Sequence, residues 1–388
     1  MGPFELAIVG LGAMVGTLTL IESPPDVMVD DISTPEVLEE RGYTGEVLAE
    51  LLDDAGLAIY LESNQPEFSL RLNYDASGIS ELSKALGLRE TVKALHGMLG
   101  MVDQRVHLSF VANPEENTLT AVLDIMKPGS GQVLHSERIP GSLDDVEAVI
   151  DEVADVLVEE VTPYPYAVHL FNHQHDPDAN LLSFSDPSTT SGDYSSVRTY
   201  IEEWLVRYEI GFVETEEQEA VYYHWASADT SDLVPRRIKD QIAPMFNLLG
   251  VVSLAEGDLK HASQSFMKAI SLDDSIADPY INIGRVLQLQ GEPEMALGYL
   301  SHADKIKPRK AITKIYSALA NLELDRTEEA LADLKEAISR QPALSVSHEL
   351  YAEALKQTGG KAKYITHSER QARLNRWRFP QQYHALAL

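Results

Sequence analysis

The sequence predicts an α+β front domain followed by an all-α solenoid of helical repeats, with a single membrane helix at the N-terminus. Three observations carry this. Residue pairs recur every 34 positions in the last third, at Leu249-Gly250, Ile283-Gly284 and Ser317-Ala318. Ahead of them lie three strand-like stretches joined by turn-forming sequences. At the start, Leu6 to Ile21 is an uncharged run of 16 residues.

That first run falls just short of the roughly 20 apolar residues that span hydrocarbon. No Lys or Arg precedes it and the first positive charge is Arg41, so charge bias hardly sets its orientation. A basic start and a small-x-small cleavage site are both missing. Residues 1–24 therefore read as a retained anchor and not a removed leader. The competing reading takes Gly10-Leu11-Gly12, with Asp30 or Asp31 some distance on, as a dinucleotide-binding turn. The third glycine position of that pattern is Val15, and Thr34-Pro35 opens helices where a βαβ unit needs strands.

Residues 25–64 read as a helical linker. Thr34-Pro35 begins a short helix ending at Gly42, and Thr44 caps a second running to about Leu61 with Val47, Leu48, Leu51, Leu52, Ala55 and Ile59 on one face. Residues 65–172 read as an acidic α+β domain. Its strands are Gln104 to Val111, Thr118 to Met126 and Gln132 to Ile139, joined by Asn113-Pro114 and Pro128-Gly129-Ser130-Gly131, which predicts an antiparallel meander. Asp144 to Glu160 is an amphipathic helix with Val146, Val149, Ile150, Val153 and Leu157 inward. Tyr164-Pro165-Tyr166 follows as a rigid elbow packing its rings on the sheet. Residues 173–242 are expected to be loop and helical connector.

The chain carries 31 Lys/Arg against 61 Asp/Glu and a formal charge of −30. Residues 243–388 hold 18 Lys/Arg and 17 Asp/Glu, so the acidity belongs to the front. Such a field repels nucleic acid and anionic lipid. With no cysteine, disulfides, Cys-ligated metals and a thiol nucleophile are excluded. His173-Gln174-His175-Asp176 is the best metal-like cluster, yet no second cluster at ligand spacing supports it. His348-Glu349 lacks the second His of a zincin, since Ala352 stands there, and Gly359-Gly360-Lys361 lacks the P-loop pattern. No catalytic, cofactor or metal residue is expected, and no small-molecule substrate is evident.

In the last third, Ala262, Ala296 and Ala330, then Ala269, Ala303 and Ala337, then Gly257, Gly291 and Asp325 keep the same 34-residue step, with Phe266, Leu300 and Leu334 in phase and Pro308 and Pro342 closing two units. These residues resemble the tetratricopeptide repeat (TPR), in which two antiparallel helices meet through small residues and neither hairpin buries its apolar face alone. The resemblance implies three repeats plus a partial fourth over 243–360, followed by a basic capping helix or tail over 361–388. The third unit departs from the pattern, with Lys314 in place of the aromatic found at Phe246 and Tyr280. The stretch TPEVLEERGYTGEVLAELLDD resembles a segment of bacterial membrane-anchored repeat proteins.

The TPR resemblance further implies a concave groove lined by Asn247 and Val251, then Ile281, Asn282 and Arg285, then Ile315, Tyr316 and Leu319. A helix or an extended peptide would suit that mixed lining, with Arg285 as an anchor. The expectation is a membrane-anchored scaffold or adaptor binding protein through the groove, as one subunit of a larger membrane complex. Its place would be the bacterial inner membrane, single-pass, with the soluble part periplasmic. The alternative is a soluble nucleotide-dependent enzyme with a Rossmann-like front domain and repeats that recruit substrate.

Overall fold

The computed structural model of the chain describes residues 27–30, 32–63, 104–127, 131–174, 193–207, 212–213, 221–222 and 236–378. The chain separates into a front unit, residues 1–169 with 224–240, and a rear unit, residues 170–223 with 241–388. Leu6–Ile21 and the Gly10-Leu11-Gly12 turn lie outside the described residues. Among the described residues no helix is long and apolar enough to cross a membrane.

In the front unit, β2 (Gln104–Asn113), β3 (Thr118–Met126) and β4 (Val133–Ser142) form the expected antiparallel meander. A further strand, β1 (Val27–Val29), runs parallel to β2 with Val27 opposite Gln104, so the sheet is mixed, in the order β1-β2-β3-β4. Strand alternation sends Val106, Leu108, Leu119, Ala121, Leu123 and Ile125 to one face. There they share a core with Val149, Ile150, Val153 and Leu157 of α3 (Val146–Val161). Asp145 caps α3 by accepting from the Ala148 N–H at 3.2 Å.

The linker reading of residues 25–64 needs correction. Leu38 of α1 (Glu36–Glu40) and Leu48 and Leu52 of α2 (Gly45–Ser63) lie in that same core, as does Val27. Covering the apolar sheet face removes those leucines from water, which a solvated linker would not do. Of the face expected to point inward, Val47 stays 37% exposed. Gly45 is required by contact, since a Cβ there would stand 2.7 Å from the Ile32 carbonyl oxygen. The elbow is likewise corrected. Tyr164-Pro165-Tyr166 opens α4 (Pro163–Gln174), and Tyr166 packs on Ile59 and Val158 of two helices. Its burial, with Glu159 and Asp155 adding to the effect, pushes the phenol up to about 12.

The rear unit opens with α5 (Ser195–Arg207) and the short pair β5 (Phe212–Val213) and β6 (Val221–Tyr222). Helix α5 is more than connector. Val197, Ile201, Trp204 and Leu205 are buried, and Arg198 donates to the Ser253 hydroxyl at 3.1 Å and pairs with Glu256 at the end of α6 (Arg236–Ala255). Hairpins then follow: α6 with α7 (Leu259–Leu272), α8 (Ala277–Leu289) with α9 (Pro293–Ile306), and α10 (Ala311–Glu323) with α11 (Thr327–Arg340). The last pairs α12 (Ser345–Gln357) with α13 (Ala362–Arg378).

Their turns carry the repeat into the backbone. Gly257, Gly291, Asp325 and Gly359 stand 34 residues apart with φ of +82°, +78°, +59° and +69°. Three of the four are glycine, the residue for which that conformation is nearly free. Inside the hairpins the small residue is dictated by the large one across from it. A Cβ on Gly250 would lie 2.4 Å from the Phe266 ring, and one on Gly284 2.8 Å from Leu300. The reading of residues 361–378 needs correction too. They are the closing helix of a complete fourth hairpin, with Ser368, Ala372 and Asn375 buried, and Asn375 donates to the Pro342 carbonyl at 2.9 Å.

Candidate protein-binding face

The first helices of the hairpins, α6, α8 and α10, are joined by a seam of polar contacts. Asn282 Nδ2 donates to Asn247 Oδ1 at 2.9 Å. One turn on, the Arg285 guanidinium lies 5.5 Å from the centre of the Tyr316 ring, a cation–π arrangement. One turn further, Gln288 Nε2 donates to Glu323 Oε1 at 3.4 Å. Burial raises the Glu323 carboxyl above its ordinary range, with the Arg285 charge opposing. Burial also raises the Tyr316 phenol, again against Arg285.

The apolar residues expected along the groove divide between neighbouring contacts. Ile281 and Tyr316 pack with Leu300 and Ala303, and Ile315 packs with Ala337, Leu344 and Val346; Leu319 lies against both clusters. Asn247, Val251, Ile281, Asn282, Arg285, Ile315 and Tyr316 are all buried, Arg285 to 5% exposure. Leu319 stays half-buried, and so do Ile312 and Leu322 on the same helix. The open lining implied by the TPR resemblance is largely a packed wall, because the same positions that line a groove also meet the next first helix. Gln288 and Glu323 were not singled out from the sequence. The signal was available one turn beyond Arg285 and one turn beyond Leu319.

Elsewhere, His173 is helical, at the end of α4, while His175 and Asp176 lie outside the described residues. His348 sits 3.0 Å from the Pro342 carbonyl, a packing role in the fourth hairpin. Among the described residues no group of His, Asp and Glu is placed to hold a metal ion. Among the described strands of the front unit β2, β3 and β4 pair antiparallel and only the three-residue β1 pairs parallel, to β2, while the Gly10-Leu11-Gly12 turn of the dinucleotide-binding reading lies outside the described residues.

The tetratricopeptide repeat family matches residues 243–276, the hairpin of α6 and α7. The array is built of tetratricopeptide repeats. With that match as the first TPR, the others fall at 277–310, 311–344 and 345–378, each one helical hairpin. No curated protein matches the chain. Among solved structures, a crystal structure of MamA is 15% identical with a TM-score of 0.35, covering 50% of this chain and 95% of that one. TTC0263, a thermophilic TPR protein of Thermus thermophilus, is 15% identical with a TM-score of 0.36, covering 50% and 90%. MamA 41-end from Desulfovibrio magneticus is 15% identical with a TM-score of 0.35, covering 53% and 99%. With scores this low, the assignment stands on the 243–276 match and on the common register of the hairpins.

Proposed function

We propose that the chain is a scaffold that binds a protein partner through the first-helix face of its TPR array, held at a bacterial inner membrane by residues 1–24. The observation that carries the binding reading is the run of stacked TPRs whose first helices form one continuous wall, with Ile312, Leu319 and Leu322 leaving apolar surface on α10. Unsatisfied apolar surface beside a buried cation favours a partner segment with apolar anchors over a small molecule. In this reading the buried members, Asn247, Val251, Ile281, Asn282, Arg285, Ile315 and Tyr316, fix the shape of the wall, and Leu319 meets the partner.

The anchor rests on the length and apolarity of Leu6 to Ile21 and on the resemblance of residues 34–54 to bacterial membrane-anchored repeat proteins; the soluble part is proposed to be periplasmic. Cell fractionation tests the anchor. Full-length protein should sediment with membranes, and protein lacking residues 1–24 should be soluble; full-length protein that is soluble without detergent overturns it. Co-purification from detergent-solubilised membranes tests the scaffold. Arg285→Glu, checked for folding by circular dichroism, should lose the partner, and a folded variant that keeps every partner of the parent removes Arg285 from the wall's role.

A further inference from the structure

One of the three joints between TPRs carries an acid–base cluster where the other two have apolar side chains or a histidine. At the same 34-residue step the first joint has Ile270, Tyr280 and Ile306, and the last has Ile338, His348 and the 41% exposed Leu374; the middle joint has Asp304, Lys314 and Arg340. The substitution is coordinated. In the second TPR, Tyr280 faces Tyr299 and His302 at ring distances of 6.4 and 4.6 Å. In the third, Lys314 takes the tyrosine's place, with Asp333 and Glu336 in place of its two partners, at 3.4 and 3.3 Å.

Beside the Arg285–Tyr316 and Gln288–Glu323 contacts of the first-helix seam and a 4.0 Å pair of Arg326 with Glu294, two cations of the third TPR converge on a single carboxylate of the second. Asp304, on α9 of the second TPR, receives Arg340 in a two-pronged grip at 2.5 and 3.1 Å and Lys314 at 3.4 Å, both from the third TPR. Arg340 also donates to the Lys310 carbonyl at 3.1 Å. On the other side of the joint Ile281, Leu300 and Ala303 meet Tyr316, with Ile312 and Leu319 packed alongside, an apolar pivot.

We propose that the joint between the second and third TPRs is a hinge: an apolar pivot closed by an ionic clasp on Asp304. In a solenoid each repeat touches only its neighbours, so one joint of different strength divides the array. Dispersion and apolar burial do not weaken with added salt, whereas ion pairs that keep partial contact with water do. The side chains of Asp304, Lys314 and Arg340 are 24%, 19% and 12% exposed, within reach of that screening. The array therefore consists of two stiff pairs of TPRs whose relative angle is set by the clasp, and the first-helix wall changes curvature when the clasp loosens.

The chain has no cysteine, so spin labels can be placed at will on the full-length protein. Met267 and Met295 are 50% and 55% exposed on either side of the first joint, and Tyr364 is 50% exposed beyond the hinge. Distance distributions between labels at Met267→Cys and Tyr364→Cys should widen about twofold between ~0.05 and ~1 M NaCl, while Met267→Cys with Met295→Cys stays unchanged. Asp304→Asn should give the wide distribution at both salt concentrations. Copying the first joint's residues into the middle one, with Asp304→Ile, Lys314→Tyr, Asp333→Tyr, Glu336→His and Arg340→Ile together, should give the narrow one at both. The hinge is overturned if the pair spanning it does not respond to salt, if both pairs respond equally, or if Asp304→Asn, still helical by circular dichroism, behaves as the parent.

Discussion

The front unit and the TPR array bury apolar surface by opposite strategies. In the front unit Val27, Leu48, Val106, Leu123 and Val153 belong to one core, drawn from segments more than a hundred residues apart. In the array each cluster is drawn from neighbouring TPRs: Ala277 to Tyr316 in one, Ala311 to Val346 in the next. A single nonlocal core fails as a whole when one member is lost, whereas a linear array fails locally and can present one long face without rearranging its interior. Charge is divided along the chain and not between the two units: residues 243–388 hold 18 Lys/Arg and 17 Asp/Glu, so the excess of acid lies before position 243.

The largest effect that sharpens this contrast comes from charge placed at a helix contact. Ala303→Glu puts a carboxylate where the native side chain is 0% exposed, which should cost on the order of 4 kcal/mol. Hydrogen exchange followed by mass spectrometry should then show protection lost over 277–344 and kept in β2, β3 and β4. Leu123→Ala, at 0% exposure in the front core, should cost about 2–5 kcal/mol with the reverse pattern. Protection lost throughout the chain in both variants would make the two regions one cooperative body.

A smaller effect tests packing within one hairpin. Gly250→Ala forces a Cβ toward the Phe266 ring and should lower the array's stability by about 1–3 kcal/mol. Paired with Phe266→Leu, much of that loss should return; denaturant titration of the single and double variants checks it.

The clasp adds a pH dependence to the array. Burial works to raise the Asp304 carboxyl, but the hydrogen bond from Arg340 and the charge of Lys314 outweigh it and hold the group below its ordinary range; Glu336 is held low in the same way. A carboxylate depressed in the folded state contributes stability that is present above its ordinary range and is lost as pH falls through the folded value. The array should therefore lose roughly 1 kcal/mol on acidification below pH ~4. Asp304→Asn should show a shallower loss in urea titrations at successive pH values. The smallest change is a gain: Asp325 adopts φ +59° where the other turns have glycine, so Asp325→Gly should stabilise by up to ~1 kcal/mol.

Much of this was legible in the sequence. The 34-residue step gave the hairpins because packing of Gly250 on Phe266 and Gly284 on Leu300 demands a fixed spacing of small and large residues. The meander was legible because Leu119, Ala121, Leu123 and Ile125 alternate cleanly. Strand β1 was not: Val27–Val29 is three residues long and follows two prolines, and its pairing with β2 is a contact that no local pattern encodes. The fourth hairpin was obscured because Gly360 and a shifted helix α13 move the small residues out of phase. Of the binding wall, the residues were legible but their burial was not, since helical spacing fixes which side of α8 Arg285 takes and says nothing of how closely Tyr316 on α10 approaches it.

The central claim, that the first-helix face of the array is where a protein partner binds, is tested most directly by comparing two surface changes in the full-length chain. Leu319→Asp alters the half-buried apolar strip on α10, and Met295→Asp alters a 55% exposed residue on the second helix of the second TPR. Quantitative co-purification from detergent-solubilised membranes should show Leu319→Asp weakening the association by about 2 kcal/mol or more, and Met295→Asp binding as the parent does. If Leu319→Asp keeps its helical circular dichroism and every partner, the first-helix face is not the binding site.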